Sequence, residues 1–350
     1  MKIQKLPFIV MVSSALTFAL FVFAGPRRGD YHLLKKVTLG PAPGGGEYFD
    51  YLAVDSASRR VYISHGTEFL VLDADTLIRV GAIPGLKRCH GVAFVPEVGK
   101  GFITDGGAAK VVIFDLATLK VTGEVKTQPD ADSIIYDPAS KRIFSFNGDP
   151  HTATVIDPAT GTVVKTLAMA GGPEFAAADG QGTVFNNLED KNELVAIDSR
   201  ALTIKARWPV APAGGPTALA MDTRHRRLFS SGRNPQMLVV MDADTGKVIQ
   251  SFPISAGADA NVFDPQRGLL FVSTREGMIH IFHEDSPDQF SVFQNVTTEY
   301  GAKTMALDTR SGRLYLTTAE FAPAPAPTAA QPNPRRTPVP GTFHLLVYGR

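Results

Sequence analysis

A single cysteine, Cys89, occurs in the 350 residues, so no disulfide can form within the chain. Twin-cysteine metal motifs and haem-attachment motifs are excluded because each needs at least two cysteines. An excess of one charge is also missing, since 35 Lys and Arg residues face 34 Asp and Glu residues, for a net charge of +1. We therefore expect no nucleic-acid footprint, because such binding requires a broad basic surface.

The N-terminus has the three parts of a secretory signal. Lys2 and Lys5 lead into an apolar run over residues 6–23, and the small residue Ala24 ends that run. The alternative is an uncleaved membrane anchor, since the run approaches spanning length, but the small-residue ending favours cleavage. We predict a cleavable Sec signal peptide over residues 1–24 and a periplasmic or secreted protein, with no membrane contact after cleavage.

The rest of the chain repeats itself. An aspartate such as Asp55 stands just before an apolar strand, and the matching position recurs every 40 to 44 residues. A second aspartate follows about 18 residues later in most repeats and opens a turn such as Asp-Ala-Asp-Thr-Gly. A period near 42 with short strands and tight turns predicts an all-β, seven-bladed β-propeller with four-stranded blades. The first anchors are Asp55, Val95, Asp137, Asp179, Asp222, Asp264 and Asp308.

The last repeat contains three strands instead of four. We expect residues 33–39 to supply the missing outer strand and so to close the ring, which removes two exposed sheet edges. Residues 25–350 then form one propeller domain. A Pro-rich insertion at residues 322–340 interrupts the last blade and cannot join the sheet. Three hypotheses for it are a flexible loop, a flap over the channel face and a docking segment for a partner.

Five residues before each first anchor, the repeats differ from one another and every residue is polar. In a propeller these positions surround one mouth of the central channel. Four carboxylates and one lysine give this ring a formal charge of −3 with His90 neutral, which favours cations. His90 lies between Asp50 and Asp132 in ring order, and that arrangement orients an imidazole and raises its pKa. The ring consists of Asp50, His90, Asp132, Glu174, Thr217, Asp259 and Lys303.

Loops on the same face add His65, Glu189 and Arg233. His65, His90, Glu174 and Glu189 are candidate ligands for a divalent metal, since imidazole suits zinc or iron and carboxylates suit calcium. The sequence leaves open whether this face binds a small molecule, a metal ion or a partner protein, and whether the protein is an enzyme. If it is one, His90 is the candidate general base. We expect a monomer.

The strand and turn motifs resemble those of the YVTN-repeat, YncE-like seven-bladed propellers, which are exported bacterial proteins. The resemblance implies a fold and export, but it brings no catalytic motif. Lactonase-like and streptogramin-lyase-like propellers remain as a second hypothesis, a metal-dependent hydrolase or lyase that uses the same face. The matching motifs are Val-Tyr-Ile-Ser at residues 61–64, Leu-Phe-Val-Ser at 270–273, Leu-Tyr-Leu-Thr at 314–317 and the turn Asp-Ala-Asp-Thr-Gly-Lys-Val at 242–248.

Overall fold

The structure, a computed structural model, describes residue 1 and residues 29–44, 47–328, 331 and 334–350. Over these residues, β-strands form seven four-stranded antiparallel sheets, and the only helices are short 3₁₀ turns. The predicted seven-bladed β-propeller is confirmed. Residues 2–24 of the predicted signal peptide lie outside the described residues. No helix in the described ranges is both long and apolar enough to cross a membrane.

The first strand, β1 (His32–Thr38), belongs to the last blade. Blade 1 is β2 (Leu52–Asp55), β3 (Arg60–His65), β4 (Glu68–Asp73) and β5 (Arg79–Pro84), and blade 2 is β6 (Cys89–Val95), β7 (Lys100–Asp105), β8 (Lys110–Asp115) and β9 (Val121–Lys126). Blade 3 is β10 (Ala131–Asp137), β11 (Arg142–Asn147), β12 (Thr152–Asp157) and β13 (Thr162–Ala168), and blade 4 is β14 (Pro173–Ala178), β15 (Thr183–Leu188), β16 (Glu193–Asp198) and β17 (Thr203–Pro209). Blade 5 is β18 (Pro216–Asp222), β19 (Arg227–Gly232), β20 (Met237–Asp242) and β21 (Val248–Pro253), and blade 6 is β22 (Ala258–Asp264), β23 (Leu269–Thr274), β24 (Met278–Ser286) and β25 (Gln289–Thr297). Blade 7 is β26 (Met305–Asp308), β27 (Arg313–Thr318), β28 (His344–Gly349) and β1. The 3₁₀ turns are Pro96–Val98, Gly106–Ala108 and Glu189–Lys191.

The core lies between the blades. Strands buried on both faces read as continuous apolar runs, and each hydrophobic cluster in the described chain joins two neighbouring blades. Between blades 1 and 2, for example, Tyr62 and Phe69 pack with Ile103 and Phe114, and all four are fully buried. Stability therefore comes from stacking blade on blade around the ring.

In the five repeats that have it, the second aspartate shapes the turn between the third and fourth strands. Asp242 Oδ1 accepts hydrogen bonds from the backbone N–H of Asp244 at 3.1 Å and of Thr245 at 2.9 Å. Gly246 follows with φ of +72°, and a Cβ there would lie 2.0 Å from Trp208. The single tryptophan lies on the outer strand β17, away from the channel, and packs against this turn of the next blade.

The ring closes as predicted. β1 pairs antiparallel with β28, from His32 opposite Gly349 to Thr38 opposite His344. Tyr31, just before β1, is 2% exposed, and its ring lies 5.0 Å from that of Phe271 in blade 6. The N-terminal segment therefore supplies both a strand and a core side chain to the last interface.

Candidate functional site

The ring residues lie where the innermost strand of each blade begins, at the end of the channel called here the channel face. In five blades the pairing of the first two strands shifts register at this position. A β-bulge of this kind breaks the in-and-out alternation of a strand and re-aims one side chain. The shifts flank His90, Asp132, Glu174, Thr217 and Asp259.

Six of the seven ring residues line one cavity of about 300 Å³, the channel cavity. They are Asp50, His90, Asp132, Glu174, Asp259 and Lys303. The seventh, Thr217, is fully buried, and its hydroxyl donates a hydrogen bond to the carbonyl of Ala258 at 2.8 Å. Tyr51 of blade 1 and Phe175 of blade 4 also line the cavity, with ring centroids 4.6 Å apart. Since these two blades are not neighbours, this contact bridges the channel below the ring.

His90 lies between two carboxylates. Its Nδ1 is 2.8 Å from Asp50 Oδ2 and 3.0 Å from Asp132 Oδ1, and the Tyr48 hydroxyl lies 2.9 Å from the same nitrogen. Burial alone would lower the pKa of His90, but hydrogen bonds to Asp132 and Asp50 outweigh it and raise the pKa to about 9. At neutral pH this side chain is therefore an imidazolium, which is a cation and not a proton acceptor.

This imidazolium makes the stability of the protein depend on pH. Folding raises the pKa of His90 from 6.5 to about 9. Protonation of His90 therefore stabilises the folded state fully below pH 6.5, and this stabilisation is lost as the pH rises through 9. We expect the free energy of unfolding to fall by about 3 kcal/mol between these limits. Denaturant titrations from pH 6 to 9.5 would measure this fall, and His90→Gln should flatten the profile. A His90 imidazole that titrates near 6.5 by NMR would contradict the assignment.

The pattern of opposite charges continues around the mouth. Lys303 Nζ donates to Asp50 Oδ1 at 2.9 Å and also to Asp259. Burial would lower the pKa of Lys303, but the Asp259 and Asp50 charges raise it above its ordinary value. Arg233 in turn donates to Asp259 and, at 3.0 Å, to Glu189 Oε1. We name this series the alternating charge chain; its members, in order, are Asp132, His90, Asp50, Lys303, Asp259, Arg233 and Glu189.

Glu174 lies in the channel cavity but outside the alternating charge chain. Its carboxyl group forms no hydrogen bond or ion pair with any residue that the structure describes, although its backbone carbonyl accepts hydrogen bonds from Ser133 and Asn186. Burial, and next the Asp132 charge, raise the pKa of Glu174 well above its ordinary value. When this carboxyl group holds its proton, it can donate a hydrogen bond to a ligand.

Arginines change the charge of the site from what the ring alone predicts. Among the described residues, the lining of the channel cavity contains five carboxyl groups and five Lys or Arg side chains, in addition to His90. The mouth is therefore not the strongly negative surface expected from the ring. Arg275 could have been found, because it occupies the repeat position of Glu189 and Arg233, directly after the second strand. Arg88 could have been found as well, because it lies two residues before a ring residue, at the repeat position of Tyr48 and Asp130. The insertion residue Arg335 has no counterpart in the other blades.

A second cavity of about 250 Å³, the flap cavity, lies beside the first. Its lining includes Tyr300, Phe321 and Arg336, and both cavities share Tyr48, Phe49, Arg275, Lys303 and Arg335. The base of the Pro-rich insertion is held by two backbone hydrogen bonds, Ala322 to Thr337 at 2.9 Å and Val339 to Glu320 at 2.7 Å. The insertion thus stands at the channel face, as the flap hypothesis requires.

The four candidate metal ligands do not form one cluster of donor atoms in the described structure. His65 stacks on Phe343, with ring centroids 4.1 Å apart, and its Nε2 lies 3.4 Å from Glu47. Glu189 pairs with Arg233. The ring donors that do meet within 4.8 Å are those of Asp50, His90 and Asp132. There the His90 nitrogen is already engaged by both carboxylates, so a metal ion would have to displace its proton.

No protein-family model matches the chain, and no curated protein is similar to it in sequence. Solved structures do resemble its fold. A chain of the hydrazine synthase of Kuenenia stuttgartiensis superposes with a TM-score of 0.66 at 14% identity, over 86% of this chain and 96% of that one. A chain of a mitotic checkpoint complex gives a TM-score of 0.71 at 13% identity, over 94% and 99% of the two chains.

A third structure, the WD40 repeats of RRP9, gives a TM-score of 0.71 at 7% identity, over 89% of this chain and 99% of that one. Identities this low show the fold alone. The seven-bladed propeller is therefore supported by both the described strands and its structural neighbours, and the function has to be argued from the site.

Proposed function

We propose that this β-propeller is an exported, YncE-like binding protein that holds a small polar ligand in the channel cavity without obligatory catalysis. The observation that carries the proposal is the contrast within the cavity. The alternating charge chain fixes six of the eleven charged side chains that line the cavity in the described structure, whereas the Glu174 carboxyl group is left without a partner among the described residues. Glu174 is partly buried, and a polar group that is shielded from water without a partner costs free energy, so a ligand that accepts its hydrogen bond would bind favourably.

The shape of the channel cavity agrees with a small ligand. Tyr51 and Phe175 meet across the channel and narrow it below the ring. The equivalent positions in the other blades carry small residues, which leaves space around this contact. Those positions are Gly91, Ser133, Ala218, Ala260 and Thr304. A ligand of modest size that enters from the mouth would rest on this aromatic pair and meet polar groups around its edge.

The competing hypothesis, a metal-dependent hydrolase or lyase, needs His65 and Glu174 as ligands and His90 as base. His65 is stacked on Phe343 and buried. His90 carries a proton at neutral pH because its pKa is raised to about 9, so it cannot accept one from a substrate. These two observations favour binding over metal-assisted catalysis.

Glu174→Leu is the substitution that tests the proposal. Since Glu174 has no partner to lose, we expect the variant to be as stable as the native protein or about 1 kcal/mol more stable, as is common when an unpaired functional group is replaced. We expect it to lose ligand binding. The measurement is thermal shift against a panel of amino acids, sugars, organic acids and organic amines at millimolar concentration, followed by calorimetry on the compounds that stabilise.

Glu174→Gln serves as the matched control, because its amide also donates a hydrogen bond and should retain most of the affinity. Elemental analysis of chelator-free protein runs in parallel. A stoichiometric metal that is lost in His90→Ala would replace the proposal with the metalloprotein hypothesis. A panel without any stabilising compound would also count against it.

A further inference from the structure

Two arginines at the junction of the channel and flap cavities are not charge-compensated. The cations His90, Lys303 and Arg233 all have carboxylate partners within the alternating charge chain. By contrast, the guanidinium groups of Arg275 and Arg335 make no ion pair and no hydrogen bond with residues in the described ranges, although both line both cavities. Positive charge without a counter-charge, in a concave and partly apolar setting, attracts an anion.

The backbone of Arg275 is fixed in place. Its N–H donates to the carbonyl of Gly257 at 2.8 Å, and its carbonyl accepts from the N–H of Gly301 at 2.7 Å. Contact with Gly257 is so close that a Cβ there would lie 2.7 Å from that of Arg275. Arg275 is also only partly exposed. Its guanidinium group is therefore presented from a rigid turn, unlike that of an arginine on a free surface loop.

The acidic group that lines the flap cavity with these arginines is already engaged. Glu47 is the one carboxyl group that the described residues contribute to the lining of the flap cavity. Its Oε1 accepts hydrogen bonds from the backbone N–H of Gly341 at 2.8 Å and of Ala42 at 3.1 Å, and its Oε2 lies 3.4 Å from His65. Glu47 therefore holds the end of the insertion, and the positive charge of Arg275, Arg335 and Arg336 remains in excess in this cavity.

Aromatic side chains line the flap cavity around these charges. The rings of Tyr300 and Phe321 meet edge to face at 5.0 Å, and Arg336 lies over Tyr300 at 4.7 Å from its centroid. Tyr48 and Phe49 stand on the side shared with the channel cavity. Such walls bury a flat apolar group, while arginine binds carboxylate and phosphate in a bidentate manner.

We infer that the ligand of this site is a small organic anion, whose acidic group binds Arg275 and Arg335 and whose apolar part packs against the aromatic walls of the flap cavity. The inference rests on the proposed function and adds the ligand class to it. A polyanion such as nucleic acid does not fit, because the cavities are of small-molecule size and the chain has a net charge of only +1. The insertion then contributes a binding residue, Arg335, to the site.

The test uses four probes of one shape: benzoate, phenyl phosphate, benzyl alcohol and benzylammonium. We expect calorimetry on the mature protein at low salt to show saturable binding of one or both anions, with neither the alcohol nor the amine binding. Arg275→Ala should weaken anion binding by about tenfold or more, and Arg335→Ala by a smaller factor because its side chain is exposed. Benzoate and phenyl phosphate distinguish a carboxylate from a phosphate ligand.

Arg310→Ala is the matched control, because it removes the same charge from an exposed position on the opposite face and should leave anion affinity unchanged. Equal losses in Arg275→Ala and Arg310→Ala, a preference for benzylammonium, or no binding of any probe would overturn the inference. The proposed function is tested separately. If an uncharged or cationic compound binds, and if its binding is lost in Glu174→Leu but not in Arg275→Ala, the proposed function stands and the anionic ligand class is rejected.

Discussion

A chain that begins at Gly40, and so lacks β1, is expected to unfold far more easily than one that begins at Gly29. Loss of Tyr31 from the core costs about 3–5 kcal/mol by analogy with large-to-small aromatic substitutions. Loss of β1 also leaves β28 as an open edge. Together these exceed about 5 kcal/mol, which is comparable to the whole stability of many domains.

Denaturant titration of the two chains measures this difference. Leu33→Thr in the longer chain is the control, because Leu33 is 45% exposed and its replacement keeps the backbone pairing of β1. Adding a peptide of residues 29–39 to the shorter chain should restore part of the lost stability. Equal unfolding midpoints for the two chains would show that the ring does not depend on the N-terminal strand.

Lys303→Ala is expected to destabilise the protein by about 3 kcal/mol, because it removes the ammonium group between the buried carboxylates of Asp50 and Asp259. Each carboxylate then keeps a single cationic partner, His90 for Asp50 and Arg233 for Asp259. The two aspartate side chains are only 14% and 6% exposed, so water would screen the two carboxylates only in part. The loss should be smaller at pH 5 than at pH 8, since the carboxyl groups can then take up protons.

Lys36→Ala provides the comparison. Lys36 pairs with Glu299 at 2.9 Å, but the two side chains are 45% and 38% exposed, and exposed pairs contribute about 0–1 kcal/mol. Denaturant unfolding of both variants at pH 5 and pH 8 measures the two losses of stability. Similar small losses in the two would mean that solvent screens the alternating charge chain.

The sequence predicted the parts of the structure that repeat. Seven anchors at a period near 42 predicted seven blades, and the three-strand last repeat predicted the pairing of residues 33–39 with the end of the chain. Counting five residues back from each anchor also selected six residues that line one cavity. These predictions work because every blade places the same repeat position at the same height in the ring.

Side chains outside the repeat could not be predicted in the same way. His65 ends β3, and whether it faces the channel or the neighbouring blade depends on its contact with Phe343, which comes from the far end of the chain. Arg335 comes to the cavity from an insertion without a counterpart in other blades. Spacing in one sequence does not determine such long-range contacts. The charge of the mouth could therefore be determined only from the three-dimensional structure.

The pairing of β1 with β28 also places both ends of the described propeller on one face of the ring. His32 lies opposite Gly349 at the end of the blade where β28 finishes, whereas the cavities lie at the end where β28 begins. Both ends of the described propeller therefore leave from one corner of the face away from the two cavities. A tether, tag or surface attached at either end would hold the propeller from behind, with its mouth pointing outward and open to solution.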